Sequence, residues 1–338
     1  MIIEMSKGAT KEQVNHVVDR AHALGFEVQL NIGTEKTVVA ILGSDTGKTE
    51  TDVFAVLPGV ENVSRVMKPY KLASREFHPR ASKINVSGVE IGGQRVVIMA
   101  GPCAVESEKQ LMETAKAVKE FGAAVVRGGA FKPRTSPFSF QGLEKDALKM
   151  LAKVKSDLGI PVITEVVDIQ NIGLIAKHAD ILQVGARNMQ NFALLKELSK
   201  VRHPILLKRG LSATVTEWLT AADYLLAEGN RRIILCERGV RTFEDSVRFS
   251  VDISSIAVVK HFSHLPIIVD PSHAAGHFAY VPSIAKAAIA AGADGLLIEV
   301  HPNPEEALVD GLQSLNIPNF KQLMTELRPI AEAVGRYI

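Results

Sequence analysis

The feature that most constrains the fold is a regular alternation of short apolar runs and longer helical patterns from residue 96 onward. The runs that we predict to be strands are Val96–Ala100, Ala124–Arg127, Val162–Val166, Ile181–Val184, Ile205–Lys208, Ile233–Cys236, Ile267–Asp270 and Gly295–Val300. The helical patterns that follow them lie near 106–121, 143–157, 168–177, 190–200, 214–228, 244–260, 282–291 and 319–332. Runs that are apolar throughout predict strands buried on both faces, as in a parallel sheet.

Eight such units in about 240 residues predict an α/β fold closed as a (β/α)8 TIM barrel. An open doubly wound sheet is the alternative arrangement of the same units. It usually carries a glycine-rich dinucleotide loop after its first strand, and no such loop opens the first unit here.

The first 66 residues follow a different order, β-α-β-β-α-β. The predicted elements are a strand at Met1–Met5, a helix at Lys11–Leu24, strands at Phe26–Ile32 and Thr37–Leu42, a short helix at 48–55, and a strand at Val60–Val66. This order predicts a small ferredoxin-like α+β domain. The segment contains no constellation of catalytic type, so it is either a structural or dimerising appendage or a ligand-sensing domain.

The predicted domain boundaries follow from these patterns. Residues 1–66 form the small domain, and residues 67–82, which lack periodicity and contain two prolines, form a linker. Residues 83–338 form the barrel, beginning with a hairpin at 84–93. A length of 338 residues suits one barrel of roughly 250 residues and one small module.

Composition excludes several classes of partner. The chain is 46% apolar and 22% charged, with a formal net charge of +2 and no long basic run, so neither nucleic acid nor a membrane surface is expected to bind. No apolar stretch reaches the roughly 18–20 residues of a membrane span, and the first residues do not resemble a signal peptide. Two cysteines give no disulfide framework. We therefore expect a cytoplasmic protein.

Charged groups or metal-ligand side chains follow every predicted strand, and the carboxyl ends of barrel strands are where such enzymes place their chemistry. One subset combines a thiol, an imidazole and two carboxylates: Cys103, His273, Glu299 and Asp310. Sulfur beside nitrogen and oxygen ligands favours a divalent transition metal over magnesium or calcium. Each residue alone has a simpler interpretation, such as a buried thiol or a solvated carboxylate, and only the set indicates a metal site.

A second subset is cationic and consists of Arg127, Lys132, Arg134, Arg187, Lys208, Arg209 and Arg238. Guanidinium groups match carboxylate and phosphate oxygens bidentately. The number of cations exceeds what one phosphate requires. We therefore expect two anionic substrates, or one phosphate and one carboxylate bound at separate points.

Seven segments at the strand ends resemble a known family. They are GPCAVES, RGGAFKPRTSP, QVGARN, LLKRG, CERG, DPSHAAGH and EVHPNP, and they resemble 3-deoxy-D-arabino-heptulosonate 7-phosphate (DAHP) synthases over residues 83–338. The KPRTS segment favours this family over 3-deoxy-D-manno-octulosonate 8-phosphate synthases, which usually have a KANRS-like segment there. Metal-independent members of that sister family replace the cysteine by asparagine, whereas Cys103 is present here.

The resemblance implies condensation of phosphoenolpyruvate with erythrose 4-phosphate and water, the first step of the shikimate pathway. It implies that Cys103, His273, Glu299 and Asp310 hold manganese, iron, zinc or cobalt. The implied phosphoenolpyruvate residues are Arg127, Lys132, Arg187, Lys208 and Arg238, with the Ala186 backbone, and the implied aldose-phosphate residues are Arg134, Thr135 and Ser136. The small domain resembles a regulatory extension that binds tyrosine or phenylalanine, and the family suggests a homotetramer.

The catalytic residues that we predict are Lys132, Glu165, and the metal ligands Cys103 and His273. Lys132 would transfer a proton to the new hydroxyl group, and Glu165 would position the attacking water. A purely electrostatic role for both residues is the alternative. Cys236 is interpreted as an inert buried thiol, with a disulfide to Cys103 as the alternative.

Two other functions compete with this one. The first is a related condensing enzyme that uses arabinose 5-phosphate or an N-acetyl sugar as acceptor. The second is a non-catalytic sensor in which the barrel only supports the small domain. The complete set of strand-end residues argues against the sensor, because a scaffold has no need of seven converging cations.

Overall fold

The structure is a computed structural model that describes residues 1–33, 36–43, 46, 49–65, 69–132, 136 and 138–338. The chain divides into two compact units, Met1–Pro69 and Tyr70–Ile338. Among the described residues, no helix has both the length and the apolar character that crossing a bilayer requires.

The first unit has the predicted ferredoxin-like arrangement. Its elements are β1 (Ile2–Met5), α1 (Lys11–Ala23), β2 (Glu27–Ile32), β3 (Thr37–Leu42), α2 (Asp52–Ala55) and β4 (Val60–Ser64). The strands form an antiparallel sheet in the order β2-β3-β1-β4. A capping box between Thr10 and Gln13 begins α1. Val14, Val17 and Ala21 of that helix then pack in the core of the unit.

The second unit begins with a hairpin of β5 (Ile84–Val86) and β6 (Val89–Ile91). The described part of the chain then contributes eight parallel strands to a closed barrel, which confirms the predicted fold. They are β7 (Val97–Gly101), β8 (Val125–Arg127), β9 (Val162–Val166), β10 (Ile181–Val184), β11 (Ile205–Lys208), β12 (Ile233–Glu237), β13 (Ile267–Val269) and β14 (Gly295–Glu299). Pairing of β14 with β7 closes the barrel.

The helices of the second unit surround these strands. They are α3 (Glu108–Glu120), α4 (Glu144–Leu158), α5 (Ile172–Ala176), α6 (Phe192–Ser199), α7 (Val215–Leu226), α8 (Ile253–Phe262), α9 (Pro271–Ala275), α10 (Val281–Ala290) and α11 (Ile317–Ala333). Along β7, Val97 and Met99 belong to the cluster inside the barrel, whereas Ile98 belongs to the cluster shared with the helices. This alternation is why the strands read as continuous apolar runs.

Several predicted helices are shorter than the periodicity indicated, among them α2 (predicted at 48–55) and α5 (predicted near 168–177), and the largest difference is at α8. We predicted a helix near 244–260, but α8 begins only at Ile253, after Asp252 caps its first turn by accepting a hydrogen bond from the Ser255 N–H. The preceding loop is held by two backbone hydrogen bonds between Val240 and Ser250. These contacts between distant positions replace the helical hydrogen bonds.

The predicted linker at 67–82 is also corrected for residues 70–82, which belong to the second unit. The Asp223 carboxylate in α7 accepts hydrogen bonds from the N–H groups of Lys71, Leu72 and Ala73 at 2.6–3.3 Å. The hydroxyl of Ser263 donates to the carbonyl of Ala73 at 2.6 Å. This segment is therefore a strap on the barrel; we call residues 70–82 the strap below.

Candidate active site

Four side chains meet at the carboxyl ends of three neighbouring strands. Cys103 follows β7, His273 lies in α9 directly after β13, Glu299 ends β14, and Asp310 lies in the loop between β14 and α11. One ligand atom from each residue lies within 4.8 Å of all the others. The barrel thus brings together the thiol, imidazole and two carboxylates that the sequence singled out.

The imidazole of His273 is oriented by a buried carboxylate. Its Nδ1 lies 2.7 Å from Oδ2 of Asp270, which is fully buried. Burial opposes ionisation of Asp270, but His273 and Lys208 hold the pKa of that carboxyl well below its usual range. Because an ionised carboxylate only accepts, Nδ1 carries the proton and donates it. Nε2 is the ring nitrogen left to face the cluster, and it lies 3.3 Å from Oε1 of Glu299.

Glu299 is ionised despite its burial. Burial alone would raise its pKa, but His273, Arg127 and Lys132 lower it below the ordinary value. The guanidinium of Arg127 pairs with Oε1, and Nε2 of Gln313 donates to Oε2 at 2.7 Å. Each oxygen of the Glu299 carboxylate therefore has a partner, an ion pair at Oε1 and a hydrogen bond at Oε2.

The Cys103 thiol lies between a cation and a carboxylate. Nζ of Lys132 donates to Sγ at 3.0 Å, and Sγ lies 3.2 Å from Oδ2 of Asp310. Burial raises the pKa of Cys103 and Glu299 raises it further, while Lys132 opposes both. The thiol is therefore protonated in this state, and a coordinated divalent cation would displace its proton.

Asp310 is held in an unusual backbone conformation. Its φ is 53°, in the left-handed region that non-glycine residues rarely occupy. Its Oδ1 lies 3.6 Å from Nη1 of Arg248. Such strain persists only where surrounding contacts enforce it, and it is common at functional sites.

A cavity of about 180 Å³ adjoins the four-residue cluster, since His273 and Asp310 line both. The cations among its described lining residues are Lys132, Arg187, Lys208, Arg238 and Arg248. The other described residues that line it are Glu165, Gly185, Ala186, Leu211, Phe249 and Val309. The cavity is therefore suited to a small anionic ligand.

Arg238 is the cavity cation with an unsatisfied donor. It is 5% exposed, its guanidinium lies 4.2 Å from the centre of the Phe249 ring, and its Nη1 has no hydrogen-bond partner among the described residues. Burial lowers its pKa. A buried donor without an acceptor is unfavourable, so the geometry indicates that a ligand oxygen completes it.

Two other cavity residues are fixed by their neighbours. Burial would lower the pKa of Lys132, but the negative charges around it, those of Glu299 and Glu165 among them, raise it above the ordinary value, so the ammonium is retained. Glu165 accepts a hydrogen bond from Nε2 of Gln183 at 3.1 Å. A Cβ atom at Gly185 would collide with the Glu165 carboxylate, so only glycine permits this approach.

The predicted cationic subset included Arg209, and this prediction is wrong for the cavity. Its guanidinium pairs with Glu237 at 2.8 Å and with Asp252 at 2.9 Å, and it is not among the described residues that line the cavity. Consecutive residues of an extended chain point to opposite sides. Lys208 therefore faces the cavity while Arg209 faces the loop that precedes α8.

The predicted aldose-phosphate residues are only partly described. Arg134 and Thr135 lie outside the described residues. Ser136 is described but does not appear in the described lining of the cavity, and its hydroxyl accepts from the N–H of Phe138 at 3.3 Å. Both cysteines are free thiols, and Cys236 packs in the cluster inside the barrel.

Sequence reasoning missed several contributors to the site, among them Arg248, Phe249, Asp270 and Gln313. Arg248 and Phe249 were assigned to a helix, although Val247, Phe249 and Val251 alternate in a pattern typical of extended backbone. Asp270 stood at a strand end but received no role. No local signal distinguished Gln313.

A (β/α)8 barrel with four potential metal ligands beside a cationic cavity is the arrangement expected of a barrel enzyme that acts on a small anionic substrate. Residues 78–333 match the DAHP synthetase I family, and residues 1–68 match the DAHP synthase ferredoxin-like domain. The chain therefore belongs to the DAHP synthetase I family, as its motifs predicted.

Relatives from Thermotoga maritima agree with this assignment. The chain is 46% identical to a phospho-2-dehydro-3-deoxyheptonate aldolase from Thermotoga maritima over 99% of both chains. The crystal structure of that DAHP synthase superimposes with a TM-score of 0.95, covering 99% of this chain and 98% of that one. A truncated form matches with a TM-score of 0.74 and 44% identity over 79% of this chain and 98% of its own. A 2-dehydro-3-deoxyphosphooctonate aldolase from Desulfotalea psychrophila is 32% identical over 74% of this chain and 95% of its own.

Proposed function

We propose that the protein condenses phosphoenolpyruvate with erythrose 4-phosphate and water, giving 3-deoxy-D-arabino-heptulosonate 7-phosphate and inorganic phosphate. One observation carries the proposal: the four-residue ligand cluster shares His273 and Asp310 with a cavity lined by lysines and arginines. This geometry suits an aldehyde oxygen beside a metal and anionic groups beside cations. Family membership supports the particular reaction.

The donor set fits a divalent transition metal. A thiol, an imidazole with its Nε2 directed inward and two carboxylates are ligands that manganese, iron, zinc and cobalt accept. When bound, the metal supplies Lewis acidity that polarises the aldehyde carbonyl. The hydrogen bond from His273 to Asp270 fixes the tautomer that such coordination requires.

Phosphoenolpyruvate would occupy the cationic cavity. Its phosphate and carboxylate would be bound by Lys132, Arg187, Lys208 and Arg238, with the Ala186 backbone. The unsatisfied Nη1 of Arg238 supports this placement, because a ligand oxygen would complete it. Arg127 is included through the family resemblance, and its pairing with Glu299 would also limit the negative charge of the cluster.

Lys132 would donate the proton that the aldehyde oxygen gains when carbon three of phosphoenolpyruvate attacks the carbonyl carbon. Its retained ammonium, 3.0 Å from Cys103 and therefore beside the cluster, supports this role. Glu165, which lines the same cavity, would orient the water that adds to carbon two and accept its proton. The resulting phosphohemiketal then releases phosphate and leaves the keto acid.

The erythrose 4-phosphate site rests on the family resemblance alone. Arg134, Thr135 and Ser136 would bind the aldose phosphate at a point separate from the phosphoenolpyruvate phosphate. This separation would bring the two reacting carbons together while keeping the two phosphates apart.

Regulation and assembly complete the proposal. The match of residues 1–68 to the DAHP synthase ferredoxin-like domain supports a regulatory unit that binds tyrosine or phenylalanine. A homotetramer and a cytoplasmic location are proposed through the same resemblance. No nucleic acid or membrane partner is proposed.

The decisive experiment measures phosphate release from phosphoenolpyruvate with erythrose 4-phosphate, with arabinose 5-phosphate, or with no aldose. Each reaction is run with added Mn²⁺ and with excess chelator. We expect release that depends on erythrose 4-phosphate and stops with the chelator. Equal rates with chelator would contradict the metal role, and a preference for arabinose 5-phosphate would favour the sister activity of the 32% identical relative.

A further inference from the structure

Gln313 has a buried side-chain amide beside the ligand cluster. It lies outside the seven family-like segments described above. It is 2% exposed and lies in the short turn Gly311–Gln313 that follows Asp310. Its surroundings are charged, since it touches one carboxylate and one guanidinium. A buried polar side chain in such a place is stable only when its donors and acceptors are matched.

The orientation of the amide follows from its two partners. Nε2 donates to Oε2 of Glu299 at 2.7 Å, and Oε1 accepts from Nη1 of Arg248 at 2.9 Å. An ionised carboxylate cannot donate and a guanidinium cannot accept, so the reverse orientation of the amide would lose both hydrogen bonds. Gln313 is therefore held in one orientation.

The backbone links this amide to the second carboxylate ligand. The N–H of Gln313 donates to the carbonyl of Asp310 at 3.2 Å, closing a turn in which residues three apart lie on the same side. Arg248, which holds the Gln313 amide, also lies 3.6 Å from Oδ1 of Asp310. Arg248 and Gln313 thus connect Glu299 to Asp310, although the two ligands come from a strand end and from a strained loop.

We propose that Gln313 is a positioning residue of the metal site that holds Glu299 and Asp310 at the spacing that one cation requires. It would do so by donating to the Glu299 oxygen opposite Arg127 and by fixing the turn that carries Asp310. This inference rests on the proposed function, because it presumes that the cluster binds a metal. Without the amide, Oε2 of Glu299 would lose its donor and the carboxylate would be less restrained, although Arg127 would still pair with Oε1.

The test replaces Gln313 by methionine, which has similar length and volume but no hydrogen bonds. The matched control is Gln322→Met. Gln322 is exposed on α11, and its side-chain amide donates to the carboxylate of Glu326. Metal affinity is measured by competition of Mn²⁺ and Co²⁺ with a chromophoric chelator. We expect Gln313→Met to weaken binding roughly 10- to 100-fold, the usual effect of losing an outer partner of a ligand. Gln322→Met should bind as the wild type does.

A spectroscopic readout separates positioning from general loss of structure. The visible absorption of bound Co²⁺ reports ligand geometry, so Gln313→Met should shift these bands while its thermal unfolding stays cooperative. If this variant does not fold, Gln313→Asn serves in its place, since its shorter side chain keeps the amide but cannot span both partners. It should weaken metal binding in the same direction.

The outcomes distinguish the two proposals. Wild-type affinity and an unshifted Co²⁺ spectrum in a folded Gln313 variant would overturn the positioning role and leave the proposed function intact. Failure of the wild-type protein to bind any of these metals would overturn both. Weaker binding confined to the Gln313 variants would support the inference.

Discussion

Buried charges near the strand ends are arranged as pairs, which offsets the cost of removing each ion from water. The pairs are Arg127 with Glu299, Lys208 with Asp270, and Arg209 with Glu237. Arg238 departs from this arrangement, because one of its buried nitrogens has no partner among the described residues. The unpartnered nitrogen marks a point where a ligand oxygen is needed, whereas the charges of Arg127 and Lys208 are already partly compensated within the protein.

The two cysteines allow a matched test at the residue scale. Both are buried free thiols, but Sγ of Cys103 lies in the ligand cluster, whereas Sγ of Cys236 lies 3.7 Å from the carbonyl of Glu237. We expect Cys103→Ala to lose bound metal and phosphate release, because it removes the sulfur ligand. Metal content by elemental analysis and the phosphate-release assay measure both effects.

Cys236→Ala is the control for this experiment. It removes the same thiol from a buried site and should lower stability through the cavity that it leaves, while metal content stays at the wild-type level. Full metal content in Cys103→Ala would show that the thiol is not a ligand. Equal loss of metal in both variants would indicate general damage to the barrel.

At the scale of elements, the strap shows how one helix side chain orders an irregular segment. The Asp223 carboxylate on α7 accepts hydrogen bonds from the N–H groups of residues 71–73. These N–H groups would otherwise lack partners, because the segment is non-repetitive. The loop before α8 is held in a similar way by Asp252 and Arg209. Carboxylates thus fix both irregular segments: Asp223 on α7 holds the strap, and Asp252, at the end of the loop before α8, pairs with Arg209.

Replacing Asp223 by alanine should release the strap. Three N–H groups would lose a charged acceptor, so we expect a loss of about 1–3 kcal/mol in the free energy of unfolding. Hydrogen exchange at residues 71–73 should accelerate more than exchange in the barrel strands. Asp157→Ala, at an exposed position of α4, is the control and should change neither quantity. Unchanged exchange in the strap of Asp223→Ala would show that these hydrogen bonds contribute little.

At the scale of the whole molecule, the chain contains two units with separate hydrophobic cores. One core is built on Ile3, Val17 and Phe54, and the barrel has its own clusters inside and outside its strands. The four-residue cluster and the described cavity residues belong entirely to the second unit. Chemistry and the proposed regulation are therefore assigned to different units.

Removal of residues 1–69 should keep catalysis and abolish inhibition. We expect the barrel to fold, because its core includes no residue of the first unit, and to release phosphate at a rate within a few fold of the full chain. Tyrosine and phenylalanine should inhibit only the full chain. Circular dichroism checks folding of the truncated protein. Persistent inhibition after truncation would place the effector site in the barrel.

The sequence by itself determined the barrel and the membership of the ligand cluster. The predicted bounds of Val162–Val166, Ile181–Val184 and Ile205–Lys208 coincide with the observed strands. Strands buried on both faces carry an apolar pattern that is local in sequence, and barrel topology places all their carboxyl ends on one face. For the same reason Cys103 and His273, which are far apart in the chain, could be predicted to lie close together.

Only the tertiary structure decided which polar side chains face the cavity and which support it. Lys208 and Arg209 are neighbours of similar charge, yet one lines the cavity and the other pairs with Glu237 and Asp252. The periodicity of the sequence likewise did not indicate the strap or the buried amide of Gln313. Their positions depend on hydrogen bonds and ion pairs between residues distant in sequence, and a local pattern carries no information about such partners.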